Sequence, residues 1–338
     1  NDNNLIEFCD VHDGATTPAN CIISSGTSTT LAQFNSNNTV SNCNIYNWFL
    51  STSTSLGIQL TTASSDWTIT GNSFYQTSAR TLAAAQFSAI NVSNTTGNYF
   101  TITNNFIGGS APSCGGTAMT LTGAGNFRAV NMTVGPGTSL VQGNTIQNIN
   151  LTTSNATNFN GALLLGQGSF LANNNTIGSL TANNSIVVTS AGGTTFVFNG
   201  IILGGSTPTN ISTISNNSIG GISLTVTGAP ATPGTIRGIS IQGTAVNHNY
   251  VVTGNTIGST TLANNITMDG NSGGFGIVSF STALGQVISN NTISNITSTN
   301  SGTGTILWGI LAQGGSAAGS LTGTYTLTGN TVQNLSCG

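Results

Sequence analysis

The chain has 338 residues and a formal net charge of −3, from three Lys+Arg and six Asp+Glu. All three basic residues are arginines: Arg80, Arg128 and Arg237. A soluble domain normally carries about a quarter charged residues. A content of 3% excludes an electrostatic nucleic-acid binder, which needs a basic stripe to neutralise phosphates, and a membrane-surface protein with a polybasic patch. No apolar run approaches the roughly 18 residues that span a bilayer, so no membrane insertion is expected. The chain opens at Asn1 without a basic-then-apolar leader, as expected of a processed mature form or a fragment. Hydrophobic residues make up 37% and recur at fixed places, unlike those of a disordered polar tract.

From the N-terminus, one short pattern recurs: an aliphatic residue, two polar or small residues, a ladder residue, one residue, then another apolar residue. It begins as Ile6-Glu7-Phe8-Cys9-Asp10-Val11 and Val40-Ser41-Asn42-Cys43-Asn44-Ile45, then reads Ile69-Thr70-Gly71-Asn72-Ser73-Phe74. The ladder residues in chain order are Cys9, Cys43, Asn72, Asn105, Asn144, Asn175, Asn217, Asn255, Asn291 and Asn330. Their gaps run from 29 to 42 residues and average about 36. Two residues after the ladder stand Val11, Ile45, Phe74, Ile107, Ile146, Ile177, Ile219, Ile257, Ile293 and Val332. Three before it stand Ile6, Val40, Ile69, Ile102, Val141, Ala172, Ile214, Val252, Ile288 and Leu327.

A second pattern falls between the copies: a small residue followed by alternating apolar ones. Examples are Gly57-Ile58-Gln59-Leu60, Ala89-Ile90-Asn91-Val92, Ala129-Val130-Asn131-Met132, Gly200-Ile201, Gly238-Ile239, Gly276-Ile277 and Gly309-Ile310. Cys21 takes the first small position, and Gly161 is a looser match. Both patterns have period 2, and Gly, Asn, Ser and Thr fill the intervals, so strands and turns are expected rather than helices. One repeat cannot bury its own apolar face, whereas stacked repeats share a continuous core. The expected fold is an all-β parallel β-solenoid of about ten coils with ~36 residues each, forming one domain over residues 1–338. Stacking repeats the ladder position every ~4.8 Å. An inward asparagine there can donate its amide to the next coil's carbonyl, satisfying buried groups that otherwise cost roughly 1–3 kcal/mol each.

The motifs Gly143-Asn144-Thr145-Ile146, Asn174-Asn175-Thr176-Ile177 and Gly329-Asn330-Thr331-Val332, alternating with Gly-Ile-x-aliphatic strands, resemble those of large right-handed parallel β-helix surface repeat proteins. Bacteria that use type IX secretion export these proteins. The resemblance covers roughly residues 3 to 335. It implies extracellular display, often in adhesive or filamentous appendages. Cysteine at two ladder positions and the scarcity of charge depart from that pattern.

Solenoids of this architecture also host polysaccharide lyases and hydrolases, whose chemistry needs clustered carboxylates or carboxylate-held calcium. Here Asp66 and Asp269 are separated by about five coils, roughly 25 Å, and cannot share a substrate, so no catalytic residue, cofactor or resident metal is expected. Asp2 and the cluster Glu7, Asp10, His12 and Asp13 fall in the first coil. The cluster reads as a solvated end, with a weak metal site as its alternative. His248, with no acidic neighbour in sequence, reads as a surface residue. Cys9 and Cys43, about 4.8 Å apart on consecutive coils, fit the Cα separation of a disulfide as well as two small buried thiols. Cys114 falls in a Gly/Ser/Pro-rich loop, and Cys337 could bridge two chains.

Neither end shows a capping helix or a charged gatekeeper run, so end-to-end stacking is expected, as a head-to-tail homopolymer or as one segment of a longer array. Nine intervals give an axial rise of roughly 43–50 Å. The expected function is an extracellular structural building block of a cell-surface filament. The alternative is an adhesin, or an ice- or glycan-binding protein, using the outward file Thr145, Thr176, Ser218, Thr256, Thr292 and Thr331; such rows are similar to those of ice-binding solenoids. Tyr46, Trp48, Phe49, Trp67, Phe74 and Tyr75 concentrate in coils two and three, where core packing competes with a sugar-stacking platform.

Overall fold

The computed structural model describes residues 2–83, 85–153, 159–191, 196–204, 210–227, 234–243, 247–269, 273–283, 285–299, 305–313 and 324–337. It is an all-β parallel solenoid of about eight turns, ~36 residues per turn. The ladder strand recurs in all ten sequence copies. The third strand of the coil begins only with Arg80–Leu82, so the first two copies build partial turns. Among the described residues the helical content is the single 3-10 turn Leu31–Gln33, and no helix is long and apolar enough to cross a membrane.

The coil turns at the ladder because of one backbone conformation. The residue before each ladder position has a positive φ: Phe8, Asn42, Gly71, Asn104, Gly143, Asn174, Asn216, Gly254, Asn290 and Gly329, all between 52° and 67°. This left-handed region disfavours residues other than glycine, which has no Cβ, and asparagine, which is why the motif reads Gly-Asn or Asn-Asn. The choice between the two also depends on the coil below. A Cβ at Gly143 would collide with the side-chain oxygen of Asn104, and Gly71, Gly254 and Gly329 face Asn42, Asn216 and Asn290 in the same way.

The ladder closes its own hydrogen bonds. Asn144 Oδ1 accepts the main-chain N–H of Asn105 at 3.1 Å and its Nδ2 at 3.0 Å. Asn144 Nδ2 donates to the Ile102 carbonyl at 2.8 Å and to Asn175 Oδ1 at 2.9 Å. The same exchange links Asn72 to Asn105 and continues without a break from Asn175 to Asn330. The amide therefore reaches the preceding coil's carbonyl, not the next coil's as the sequence suggested. Upward, it meets the next asparagine's oxygen.

Two apolar columns flank the ladder. Val40, Ile69, Ile102, Val141, Ala172, Ile214, Val252 and Ile288 are fully buried, as are Ile45, Phe74, Ile107, Ile146, Ile177, Ile219, Ile257 and Ile293. Opposite them runs the file of small residues. At Gly238 a Cβ would meet the Gly276 carbonyl at 2.5 Å and Ile257 at 2.7 Å, so the strand lies directly against the apolar column. The register pairs Leu163 with Val130 and Ile201, which puts Ala162 in this file. Gly161, the sequence choice, pairs instead with Arg128 and Asn199. His248 is also corrected: it is fully buried, its Nε2 2.8 Å from Ser212 Oγ, with its ring stacked on Tyr250 at 4.6 Å. Packing on an inward ring, rather than an acidic neighbour, decides its place.

Replacing Asn144 by Ala removes four hydrogen bonds and leaves buried donors without an acceptor. The expected loss is about 2–4 kcal/mol, read as faster amide exchange in the coils carrying Asn105 and Asn175. Gly143→Ala is expected to destabilise by ~1 kcal/mol or more in thermal unfolding. Adding Asn104→Gly should recover the part due to collision but not the part due to φ.

Candidate functional site

At its N-terminal end the ladder changes chemistry. The Cys43 main-chain N–H still donates to Asn72 Oδ1 at 2.9 Å, but a thiol offers no amide oxygen to the coil before it. Cys9 and Cys43 are free thiols, so the candidate disulfide is not formed in this structure. Each sulfur turns to a carbonyl of its own turn, Cys9 to Glu7 at 3.1 Å and Cys43 to Ser41 at 3.2 Å. Cys21 stands in the small file beside Gly57, its thiol 3.7 Å from the Val11 carbonyl. Burial pushes the Cys21 and Cys114 thiols up to about 12 and raises that of Cys43. Cys9 and Cys337 are exposed.

The first-coil cluster is tied to the second coil rather than gathered on itself. Asp10 accepts the side-chain amide of Asn44 at 2.8 Å, and Asp13 that of Asn47 at 3.0 Å. The Asn47 hydrogen bond holds the Asp13 carboxyl below its usual range. His12 Nδ1 lies 3.4 Å from Asp13. Its ring stacks on Tyr46 at 4.5 Å, and Tyr46 stacks on Tyr75 at 4.7 Å. The other aromatics of coils two and three do not join this stack. Trp48 and Phe74 are buried in the core, edge to face at 6.0 Å. Trp67 is 7% exposed, with its indole N–H bonded to the Asn35 carbonyl. Phe49 lies under the Arg80 guanidinium at 5.4 Å. The six-residue sugar platform considered from sequence is therefore split between core and surface. Of the two distant carboxylates, Asp66 occupies a positive-φ turn, and Asp269 accepts the Val226 N–H at 2.6 Å.

The outward file is in register: Thr145 beside Thr176, then Ser218, Thr256, Thr292 and Thr331. The first five are half-exposed and Thr331 is exposed. Sequence reasoning missed a second surface on the other side of the turn. The positions two and four before the ladder also face outward, reading Thr39-Val40-Ser41, Thr68-Ile69-Thr70 and Thr101-Ile102-Thr103 on successive coils. The signal was available as hydroxyl–aliphatic–hydroxyl alternation.

Thiol chemistry checks the cysteine assignments. Only the thiolate is nucleophilic, and burial raises the thiols of Cys21, Cys43 and Cys114. At about pH 8 an alkylating reagent should therefore spare these three until denaturant is added, while reaching the exposed Cys9 and Cys337. Peptide mapping that returned a Cys9–Cys43 bridge in place of alkylated Cys9 would reinstate the disulfide. Compared with protein-family models, curated proteins and solved structures, the chain matches none.

Proposed function

We propose that this protein is a non-catalytic structural element of the cell exterior, a rod that joins a surface filament by stacking coil on coil, head to tail with further copies of itself. The observation that carries the reading is the last coil. Leu327 and Val332 are 47% and 46% exposed, whereas Ile288 and Ile293 directly beneath them are fully buried. Trp308 is 40% exposed at the same level. Asn330 Oδ1 is filled from Asn291, while its main-chain N–H makes no hydrogen bond among the described residues. This layer is a cross-section through the core that no further layer covers among the described residues.

The first coil offers the matching surface. Ile6, Val11 and Ile22 are only half-buried and belong to the same columns as Leu327, Val332 and Ile310. A copy added in register sets Ile6 on Leu327 and Val11 on Val332. Such head-to-tail contact does not close, so it grows a filament. The extracellular setting draws its support from the motif resemblance. The adhesive alternative is favoured by one observation, the registered file Thr145 to Thr331, and takes a surface glycan as its partner.

Sedimentation and negative-stain imaging of the purified chain test the proposal. Rods lengthening in steps of one molecule are expected, and Leu327→Glu with Val332→Glu should leave single particles of unchanged strand content. Native chains that stay single at concentrations where the stain resolves them would overturn it.

A further inference from the structure

We propose that the sheet face formed by the strands preceding the ladder turn binds ice. On these strands the central residue points into the core and its two neighbours point to solvent. Val40, Ile69 and Ile102 are fully buried, while Thr39, Thr68, Thr70, Thr101 and Thr103 are half-exposed. Parallel register sets Thr39 beside Thr68 and Thr101, and Ser41 beside Thr70 and Thr103. Six hydroxyls thus form a grid with a spacing of ~4.8 Å between coils and ~6.6 Å along each strand. The grid reappears as Thr213 with Ser215 and as Thr326 with Thr328. Val251 with Thr253, and Val287 with Ser289, keep one hydroxyl and one branched methyl-bearing side chain. Leu140 with Gln142, and Leu171 with Asn173, interrupt it.

Four of the six hydroxyls have no partner among the described residues. Among the described residues the only hydrogen bond within the six is Thr103 to Thr70 at 2.9 Å; the side chains of Thr39, Ser41, Thr68 and Thr101 make none. Ser41 is 7% exposed, so its unpaired hydroxyl is nearly enclosed yet stands in the outward file. A hydroxyl both donates and accepts, so each unpaired one must be satisfied by a molecule outside the protein. Between the hydroxyls lie threonine methyls, over which first-shell water is orientationally restricted. The buried column beneath holds the spacing rigid.

Charge and chemistry select the occupant. From the second copy onward no position of the two outward files is charged, so the face has no field to attract an ionic polymer. It also carries no aromatic ring on which a sugar could stack. A surface of uncharged donors and acceptors, periodic in two directions and lined by methyls, complements a water lattice. The inference does not depend on end-to-end stacking, and the face is separated by the ladder turn from the file Thr145 to Thr331.

Slow growth of ice from a solution of the full chain, with the protein then measured in ice and in liquid, tests it. The native chain should be enriched in the ice and should facet growing crystals. Thr68→Tyr and Thr101→Tyr should abolish both effects, while Thr152→Tyr, on an outward strand position elsewhere, should leave them intact. The isosteric pair Thr68→Val and Thr101→Val keeps the packing and should weaken incorporation; circular dichroism checks that each variant is folded. Exclusion of the native chain from ice would overturn the proposal, as would folded variants that enter ice like the native chain. Loss of agarose or cellulose binding in Thr68→Tyr, without any ice effect, would assign the face to a neutral glycan instead.

Discussion

One saturated amide fixes everything else in this fold. A primary amide has two hydrogens and an oxygen able to accept two, and each ladder asparagine from Asn105 to Asn291 uses all four. Its hydrogens go to the carbonyl of the coil below and the amide oxygen of the coil above, and its oxygen takes two N–H groups from the coil below. Unpaired, these groups would each cost roughly 1–3 kcal/mol in the interior. Stacked, they are satisfied without water and without charge. The coil can therefore make a buried polar turn at every level, which a purely apolar interior could not support.

The neighbouring files follow from that turn. To aim the asparagine inward, the preceding residue must enter the left-handed region, and so it is Gly or Asn at nine positions of ten. Phe8, the exception, stands in the first copy and is 75% exposed. The residues on either side then alternate inward and outward, giving the two buried columns and the two hydroxyl surfaces. Across the core, only a small residue lets the opposing strand approach the column of Ile219, Ile257 and Ile293.

The architecture was legible in the sequence because it is spelled by repetition: the ladder positions, both apolar columns and the Thr145 file are where the spacing put them. What stayed hidden was set by neighbours in space. Ala162 rather than Gly161 joins the small file because register, not residue size, assigns it. His248 reads as polar in sequence, but a ring can stack and bond inward while its chain neighbours face out. Cys9 and Cys43 have the chain positions of a disulfide, yet each thiol turns to its own carbonyl. The Thr39–Thr103 grid escaped because its central residues drew attention as core, leaving their flanks unread.

Among the described residues, the two arginines of the middle coils are held without carboxylates. Arg128 bonds to the Gln86 side chain at 3.1 Å, and the Arg237 guanidinium lies over the rings of Phe275 and Phe280 at 5.8 and 5.1 Å. Burial lowers both from their ordinary value. Dissolved ions weaken attraction between exposed opposite charges, but here they find almost nothing to weaken. Salts that are excluded from protein surfaces strengthen apolar burial, so rising salinity of that kind tightens this molecule where it would loosen one tied by ion pairs.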